Sequence, residues 1–351
     1  FSVQNDCETT RKSLKWLGAA VLDMVAAVSR RVVAAFAHHP SDMYQRVAML
    51  EDLSSGTRLH LASRHLIGRS RSCHLCIVKP NISGVHAEIV WDGSTWQLQD
   101  LGSRNGTFLD GRKLLAGEQA VLSRGAEIVF GIPRHRYRLT DDSPPRLMAT
   151  TDSGDVCLAD GEEMLCLPSL DRPELMIFRD SDERWVADSA EGTRELHDQS
   201  TVFAGGRSWR VCLPALHSPT RDAEAPAEPT LDEIALEFRV SRDGEHIGMT
   251  LVRGSAVREL ESRAHAYLLL TLARSRLEDR EQAHLTESEH GWVHRDELIK
   301  MLAIDPQLLN LWVYRARRQF TGVGIRGAAN VIERRAGSHQ MRIGIATLSV
   351  G

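Results

Sequence analysis

Residues 65–109 read HLIGRSRSCHLCIVKPNISGVHAEIVWDGSTWQLQDLGSRNGTFL. Short apolar runs at 65–67, 75–78, 86–91, 95–99 and 107–109 are separated by Gly, Ser, Asp and Asn. Each run has strand length, and none keeps the 3.6-residue spacing of an amphipathic helix. The pattern continues outward, with runs at 59–61 and 127–130. Many short strands with regular turn signals predict an all-β sandwich, bounded here at 43–140.

Three separated pieces of this stretch carry chemistry: Gly68-Arg69, Ser83-x-x-His86, and Leu101-Gly102-Ser103-Arg104-Asn105-Gly106-Thr107. Recognition of a phosphate needs a fixed guanidinium, a hydroxyl donor and amides that converge from loops on a rigid sheet. Arg69 supplies a bidentate fork and Ser83 a hydroxyl. The turn through Arg104 and Asn105 presents amides, and the Asn105 side chain can bond a peptide backbone through both ends. Gly106 relaxes the φ restriction of a tight loop.

Together these residues resemble the forkhead-associated (FHA) domain, over about residues 45–140. The resemblance implies an eleven-stranded β-sandwich whose loops at one end bind phosphothreonine peptides. On it, Arg69 and Ser83 hold the phosphate, Arg104 lines the pocket and Asn105 fixes the peptide main chain. Gly68 belongs to the motif. His86 ties the binding loop to its neighbour, and Gly106 and Thr107 shape the loop behind. The family often places Arg, Lys or Asn directly after the motif serine; this chain has Gly84. An FHA scaffold that uses another surface is the competing reading.

Residues 146–213 continue in short strand-like runs and form an acidic β domain, taken as 141–213. A faint echo of the first module aligns 177–188 with 89–100 without a gap, so a degenerate FHA-like fold is expected. The segment lacks the GR, SxxH and NGT signatures, and its charge would repel a phosphopeptide. Eight basic residues face nineteen acidic ones over 141–230, a net of −11. A packing or partner surface is the first reading of this segment; its charge also suits a shield for a basic DNA-binding face in the same chain. Residues 214–230 hold four prolines and no apolar periodicity, and read as a linker.

From 231 to 351 the period changes. Strands at 234–240 and 246–251 precede helices at 263–277, 294–303 and 306–320, then a hairpin at 331–345. Asp305 before Pro306 fits an N-cap with proline at the first helical position. This order is that of a winged helix-turn-helix, which needs one helix for the major groove and a hairpin wing beside it. Residues 292–351 carry nine Lys and Arg against four Asp and Glu. Arg315, Arg317 and Arg318 on the last helix and Arg334 and Arg335 in the wing are candidate DNA contacts. Asn310 and Gln319 are candidates for reading base edges. The stretch resembles the DNA-binding domain of OmpR-type response regulators, through His294-Arg295-Asp296-Glu297-Leu298 and Leu311-Trp312-Val313-Tyr314-Arg315-Ala316-Arg317-Arg318. That resemblance implies that the last helix is the recognition helix. A charged helix face that is merely solvated is the competing reading.

The 351 residues are 42% hydrophobic and 26% charged, with a net charge of −4, which excludes collagen-like, wholly disordered and membrane-embedded classes. Six scattered cysteines do not suggest a disulfide framework. Cys73-His74-Leu75-Cys76 has CxxC spacing without a second ligand pair, and reads as core strand. The sequence starts at Phe1, and the apolar stretch at 14–36 is broken by Asp23, Arg30 and Arg31. Residues 1–42 are expected to be either translated upstream sequence before a start at Met43 or a helical extension. No membrane span is expected, and a cytoplasmic location follows. Nucleotide, zinc-protease and hydrolase motifs are absent from the sequence. The chain is therefore expected not to be an enzyme and to need no metal or cofactor.

The expected protein is multidomain: an FHA sandwich, a second β domain and a C-terminal α+β winged helix. Its expected function is that of a bacterial transcription regulator docking on a phosphothreonine protein, a Ser/Thr kinase or its substrate, and binding double-stranded DNA. Thirty-eight Arg against five Lys fit a GC-rich genome. The alternative is an FHA signalling adaptor whose winged helix contacts protein.

Overall fold

The computed structural model describes residues 46–161, 163–214, 228–282 and 284–351. The expected extension at 1–42 lies outside them, as does most of the linker.

The first unit holds β1 Met49–Asp52, β2 Arg58–His60, β3 Arg64–Gly68, β4 Leu75–Cys76, β5 Ala87–Trp91, β6 Trp96–Asp100, β7 Thr107–Leu109, β8 Arg112–Lys113, β9 Gln119–Leu122, β10 Glu127–Phe130 and β11 Arg136–Asp141. Six strands pair as β2-β1-β11-β10-β7-β8 and five as β4-β3-β5-β6-β9, which makes the expected eleven. Alternation builds the core: along β6, residues 96, 98 and 100 are buried while 97 and 99 are half-buried. Trp96, Leu98, Ile89, Ile128 and Phe130 meet between the sheets.

The second unit holds β12 Met148–Thr150, β13 Val156–Leu158, β14 Leu165–Pro168, β15 Pro173–Arg179, β16 Trp185–Ser189, β17 Gly192–Glu195, β18 Thr201–Ala204 and β19 Arg207–Cys212. Its sheets run β13-β12-β19-β18 and β14-β15-β16-β17. This is the strand order of the first sandwich with β4, β7 and β8 left out. The ungapped sequence echo needs one correction. Ile89 pairs with Leu98, but Ile177 pairs with Ala187, because the second hairpin turn is one residue longer. With Ile89 matched to Ile177, Trp185 takes the place of Trp96, and Ser189 takes that of Asp100.

The third unit holds β20 Ala235–Val240, β21 Ile247–Arg253, β22 Ala256–Leu260, α1 Ala266–Arg280, β23 Val293–His294, α2 Arg295–Leu302, α3 Pro306–Thr321, β24 Ile332–Arg335, β25 Gln340–Ile343 and β26 Thr347–Val350. Sheets β22-β21-β20-β26 and β23-β25-β24 flank the helices. Asp305 caps α3, its Oδ1 accepting from the Gln307 and Leu308 amides at 2.8 Å each. The sequence reading lacked β22 and β26. Four of the five residues of β22 are exposed, so it shows no alternation. β26 joins in parallel to β20, more than a hundred residues earlier.

The sheet β14-β15-β16-β17 is covered on both faces. Leu175, Ile177, Trp185 and Ala187 point into their own sandwich. Met176, Phe178 and Val186 point the other way, into a core shared with Trp312, Val313 and Phe320. A sheet with two apolar faces must find a second cover, and the third unit supplies it.

Candidate functional site

At one end of the first sandwich, two chain segments are laced together by backbone bonds. The Arg69 amide donates to Ser83 O at 2.8 Å and the Ser70 amide to Gly84 O at 2.9 Å. Gly68 makes this approach possible: a Cβ there would stand 2.3 Å from Gly84 O and 2.9 Å from Cys73 Sγ. The two CxxC thiols lie in the same lacing. Cys73 Sγ donates to Gly84 O at 3.4 Å, and Cys76 Sγ to Arg69 O at 3.6 Å. Cys73 is buried as the sequence reading expects, while Cys76 is exposed.

The loop of Arg104 and Asn105 closes over these segments. The Arg104 amide donates to Ser83 Oγ at 3.1 Å. That bond occupies an acceptor lone pair and leaves the hydroxyl proton of Ser83 available to a ligand. Asn105 Nδ2 donates to Asn81 O at 2.7 Å, which leaves its Oδ1 as an acceptor for a ligand N–H. Arg69 and Arg104 are both exposed on this rim. The segments that carry a guanidinium, a hydroxyl and an amide are thus held side by side at one end of the sandwich, an arrangement suited to an oxyanion carried on a peptide.

His86 fastens the loops from beneath and is fully buried. Its Nδ1 accepts from the Ser83 amide at 3.1 Å, and its Nε2 lies 3.2 Å from Gly106 O. These bonds require the tautomer with the proton on Nε2. Burial pushes the imidazole pKa below its ordinary value, against the raising effects of Gly106 O and Asp100, so the ring is neutral near pH 7. Gly106 takes φ +87°, a left-handed conformation that favours glycine.

Asp100 was not singled out in the sequence, although it organises the Asn105 loop. Its Oδ1 accepts from the Gly102 and Ser103 amides at 2.9 and 3.0 Å. Its Oδ2 accepts from Ser103 Oγ and Thr107 Oγ1 at 2.7 Å each. Burial raises its pKa, and the four hydrogen bonds outweigh that and hold the carboxyl below its ordinary value. The signal was present: an Asp followed two residues later by Gly and then Ser is an Asx-turn pattern.

The candidate DNA contacts are placed differently from the expectation of an open basic face. Asn310, Arg317 and Arg334 are buried between the second and third units. Asp188, buried on β16, accepts from Arg317 Nη1 at 2.8 Å, and Arg334 Nε lies 3.0 Å from the same oxygen. Arg334 also donates to Ser189 O and to Asn310 Oδ1. Arg318 is exposed, 3.6 Å from Asp160, and Arg315 is half-buried. Arg335 bonds Glu289 at 2.6 Å and lies over the Trp292 ring. Gln319 bonds His265 and Glu261 O. The physical reason is the second apolar face of β14–β17, which draws α3 and the hairpin against it.

Comparison with known proteins places an FHA domain at residues 65–131. The chain is 37% identical over 88 residues to the FHA domain-containing protein FhaB of Mycolicibacterium smegmatis, covering 25% of this chain and 56% of that one. It is 35% identical over 103 residues to the DNA damage response protein kinase DUN1 of Saccharomyces cerevisiae, covering 26% of this chain and 20% of the kinase. It therefore spans about half of the first relative and a fifth of the second. Among solved structures, Mycobacterium tuberculosis EmbR in complex with low affinity phosphopeptide is 26% identical, with 37% of this chain and 33% of that chain covered and a TM-score of 0.27. No helix among the described residues is long and apolar enough to cross a membrane.

Proposed function

We propose that the FHA domain of this chain docks phosphothreonine peptides through Arg69, Ser83, Arg104 and Asn105. We further propose that the third unit is a winged-helix DNA-binding domain, so that the chain is a cytoplasmic transcription regulator responding to a Ser/Thr kinase or its substrate. In this reading it is a binding protein with no catalysis of its own and no cofactor.

The observation that carries the docking reading is the hydrogen bond from the Arg104 amide to Ser83 Oγ, which turns the hydroxyl into a donor beside Arg69. Titration with a phosphothreonine peptide, its phosphoserine analogue and its unmodified form tests it. Arg69→Ala removes a charge-assisted bond, and the expected loss is about 10- to 100-fold in affinity for the phosphothreonine peptide. Equal affinity for the phosphorylated and unmodified peptides rejects the pocket.

Gly84 offers a test in the opposite direction. No atom lies within 4 Å of the place where its Cβ would stand, and its φ is not left-handed. Gly84→Arg is therefore expected to fit and to tighten phosphopeptide binding by about 5- to 10-fold through a new cation beside the phosphate. An unchanged dissociation constant would show that the phosphate does not sit next to residue 84.

The order of α1, α2, α3 and the β24–β25 hairpin supports the DNA-binding reading. One observation favours the alternative, an FHA adaptor whose third unit contacts protein: α3 and the hairpin are already packed on a protein surface. Retardation of genomic fragments separates the two readings, because a DNA binder weakens steeply with added salt.

A further inference from the structure

We propose that the face formed by α3 and the β24–β25 hairpin is a polyanion-binding surface that the acidic second unit masks in cis. This rests on the DNA-binding reading of the third unit and adds how access to it is controlled.

The mask reaches both the helix and the hairpin of this face, although Arg318 stays exposed and Arg335 pairs with Glu289 inside the third unit. On the helix, Arg317 is bound to Asp188, Tyr314 donates its hydroxyl to Asp160 at 2.7 Å, and Arg318 lies 3.6 Å from that same Asp160 carboxylate. On the hairpin strand, Arg334 is held by Asp188 and Ser189 O. At the hairpin tip, the Gly337 amide donates to Glu191 O at 3.1 Å, and His339 Nδ1 lies 2.9 Å from Ala190 O. Gly192 lies so close to the tip that a Cβ there would stand 2.6 Å from Ala336 Cα.

The chemistry is that of exchange between carboxylate and phosphate. Guanidinium groups pair bidentately with either. In the closed form two buried guanidiniums share one Asp188 oxygen. Arg334 Nε sits 3.0 Å from that oxygen without hydrogen-bond alignment, and among the described residues Arg317 Nε has no acceptor. The positive side of the pairing is therefore under-matched, with donors left for a denser anion. The second unit, with sixteen acidic residues against seven basic ones over 141–213, a net of −9, meets a stretch of the third unit in which basic residues outnumber acidic ones nine to four. Opposite charge of this kind fixes orientation and excludes like-charged competitors.

The test uses the full chain and a mixed-sequence 40-base-pair duplex at low salt. Wild type, Asp188→Asn and Asp160→Asn are compared for duplex affinity and for hydrogen exchange across α3 and β24. The expected result is at least tenfold tighter binding by the Asn variants, with faster exchange in both segments and a steep loss of binding as salt rises. Wild type that binds as tightly as the variants while α3 stays protected overturns the masking and leaves DNA binding to another surface. Variants that open yet bind no duplex overturn both the masking and the DNA reading. Should Asp188→Asn unfold the chain, Asp160→Asn, whose side chain keeps 9% of its exposure where Asp188 keeps none, decides: affinity within twofold of wild type rejects the proposal.

Discussion

Asp188→Ala is expected to lower the unfolding free energy by about 3–5 kcal/mol, the range for removing one partner of a buried ion pair. Asp188 is fully buried, and Arg317 is 1% exposed. The carboxylate is well held: Oδ1 accepts from Thr193 Oγ1 at 2.7 Å and Oδ2 from Arg317 Nη1 at 2.8 Å. Among the described residues, alanine removes the only carboxylate bonded to Arg317 and leaves two buried guanidiniums facing a void. Their remaining bonds, Arg317 to Ile332 O and Arg334 to Ser189 O and Asn310 Oδ1, carry no opposite charge. Denaturant titration at pH 7 gives the value, and a loss below about 1 kcal/mol, the scale of an exposed pair, would mean that the triad is open to water. Asp188→Leu combined with Arg317→Met and Arg334→Met is expected to recover most of the loss, because a well-packed apolar replacement needs no desolvated charge. Acid provides a second check. Burial raises the Asp188 pKa, but Arg317, Arg334 and the hydrogen bonds outweigh it, so the folded value lies below 3.8. A carboxyl with a lowered folded pKa contributes stability above its unfolded value and loses it as pH falls through the folded one. Wild type is thus expected to lose stability below about pH 3.8 more steeply than Asp188→Ala.

The same three residues show where the sequence stopped being informative. A helix carrying Arg315, Arg317 and Arg318 reads as a basic surface, because nothing local says that a carboxylate more than a hundred residues earlier will cover it. One hint was local. The run Leu175-Met176-Ile177-Phe178 does not alternate, and an unbroken apolar strand signals a sheet buried on both faces. Such a run asks for a cover on each face, but it does not say which segment of the chain supplies the second. The echo between the two sandwiches was slipped by one residue for a related reason: turn length is not written in the hydrophobic pattern. The candidate anion site was far more legible. Arg69, Ser83 and Asn105 lie in turns whose spacing is set by short strands, and a rigid sandwich turns that spacing into proximity. What escaped was the supporting layer, Asp100 and Asn81, whose roles depend on loop curvature.

Gly68→Ala is expected to weaken phosphothreonine-peptide binding by about 100-fold, the scale of effect of a 1 Å misplacement at a site that depends on alignment. Arg69→Ala removes one contact, whereas this change moves the frame that carries two. The added Cβ would stand 2.3 Å from Gly84 O, an atom of the backbone and so not free to swing aside. Ordinary van der Waals separation requires the Gly84 segment to retreat by about 1 Å. Retreat stretches the Arg69-to-Ser83 and Ser70-to-Gly84 bonds, now 2.8 and 2.9 Å, and carries Ser83 away from Arg69. The sandwich core lies elsewhere, at Trp96, Leu98 and Phe130, so the domain is expected to stay folded and to lose about 1–3 kcal/mol of stability, as overpacking does. Isothermal titration with the phosphothreonine peptide, with circular dichroism as the fold control, measures the effect. Cys73 Sγ would be the second obstacle, at 2.9 Å, and it lies on a side chain. A Gly68→Ala and Cys73→Ala double variant therefore separates the two contacts. Affinity that stays lost assigns the effect to the Gly84 carbonyl. Affinity that returns assigns it to the thiol, and the close approach of the Arg69 and Gly84 backbones would then not be what positions the phosphate donors.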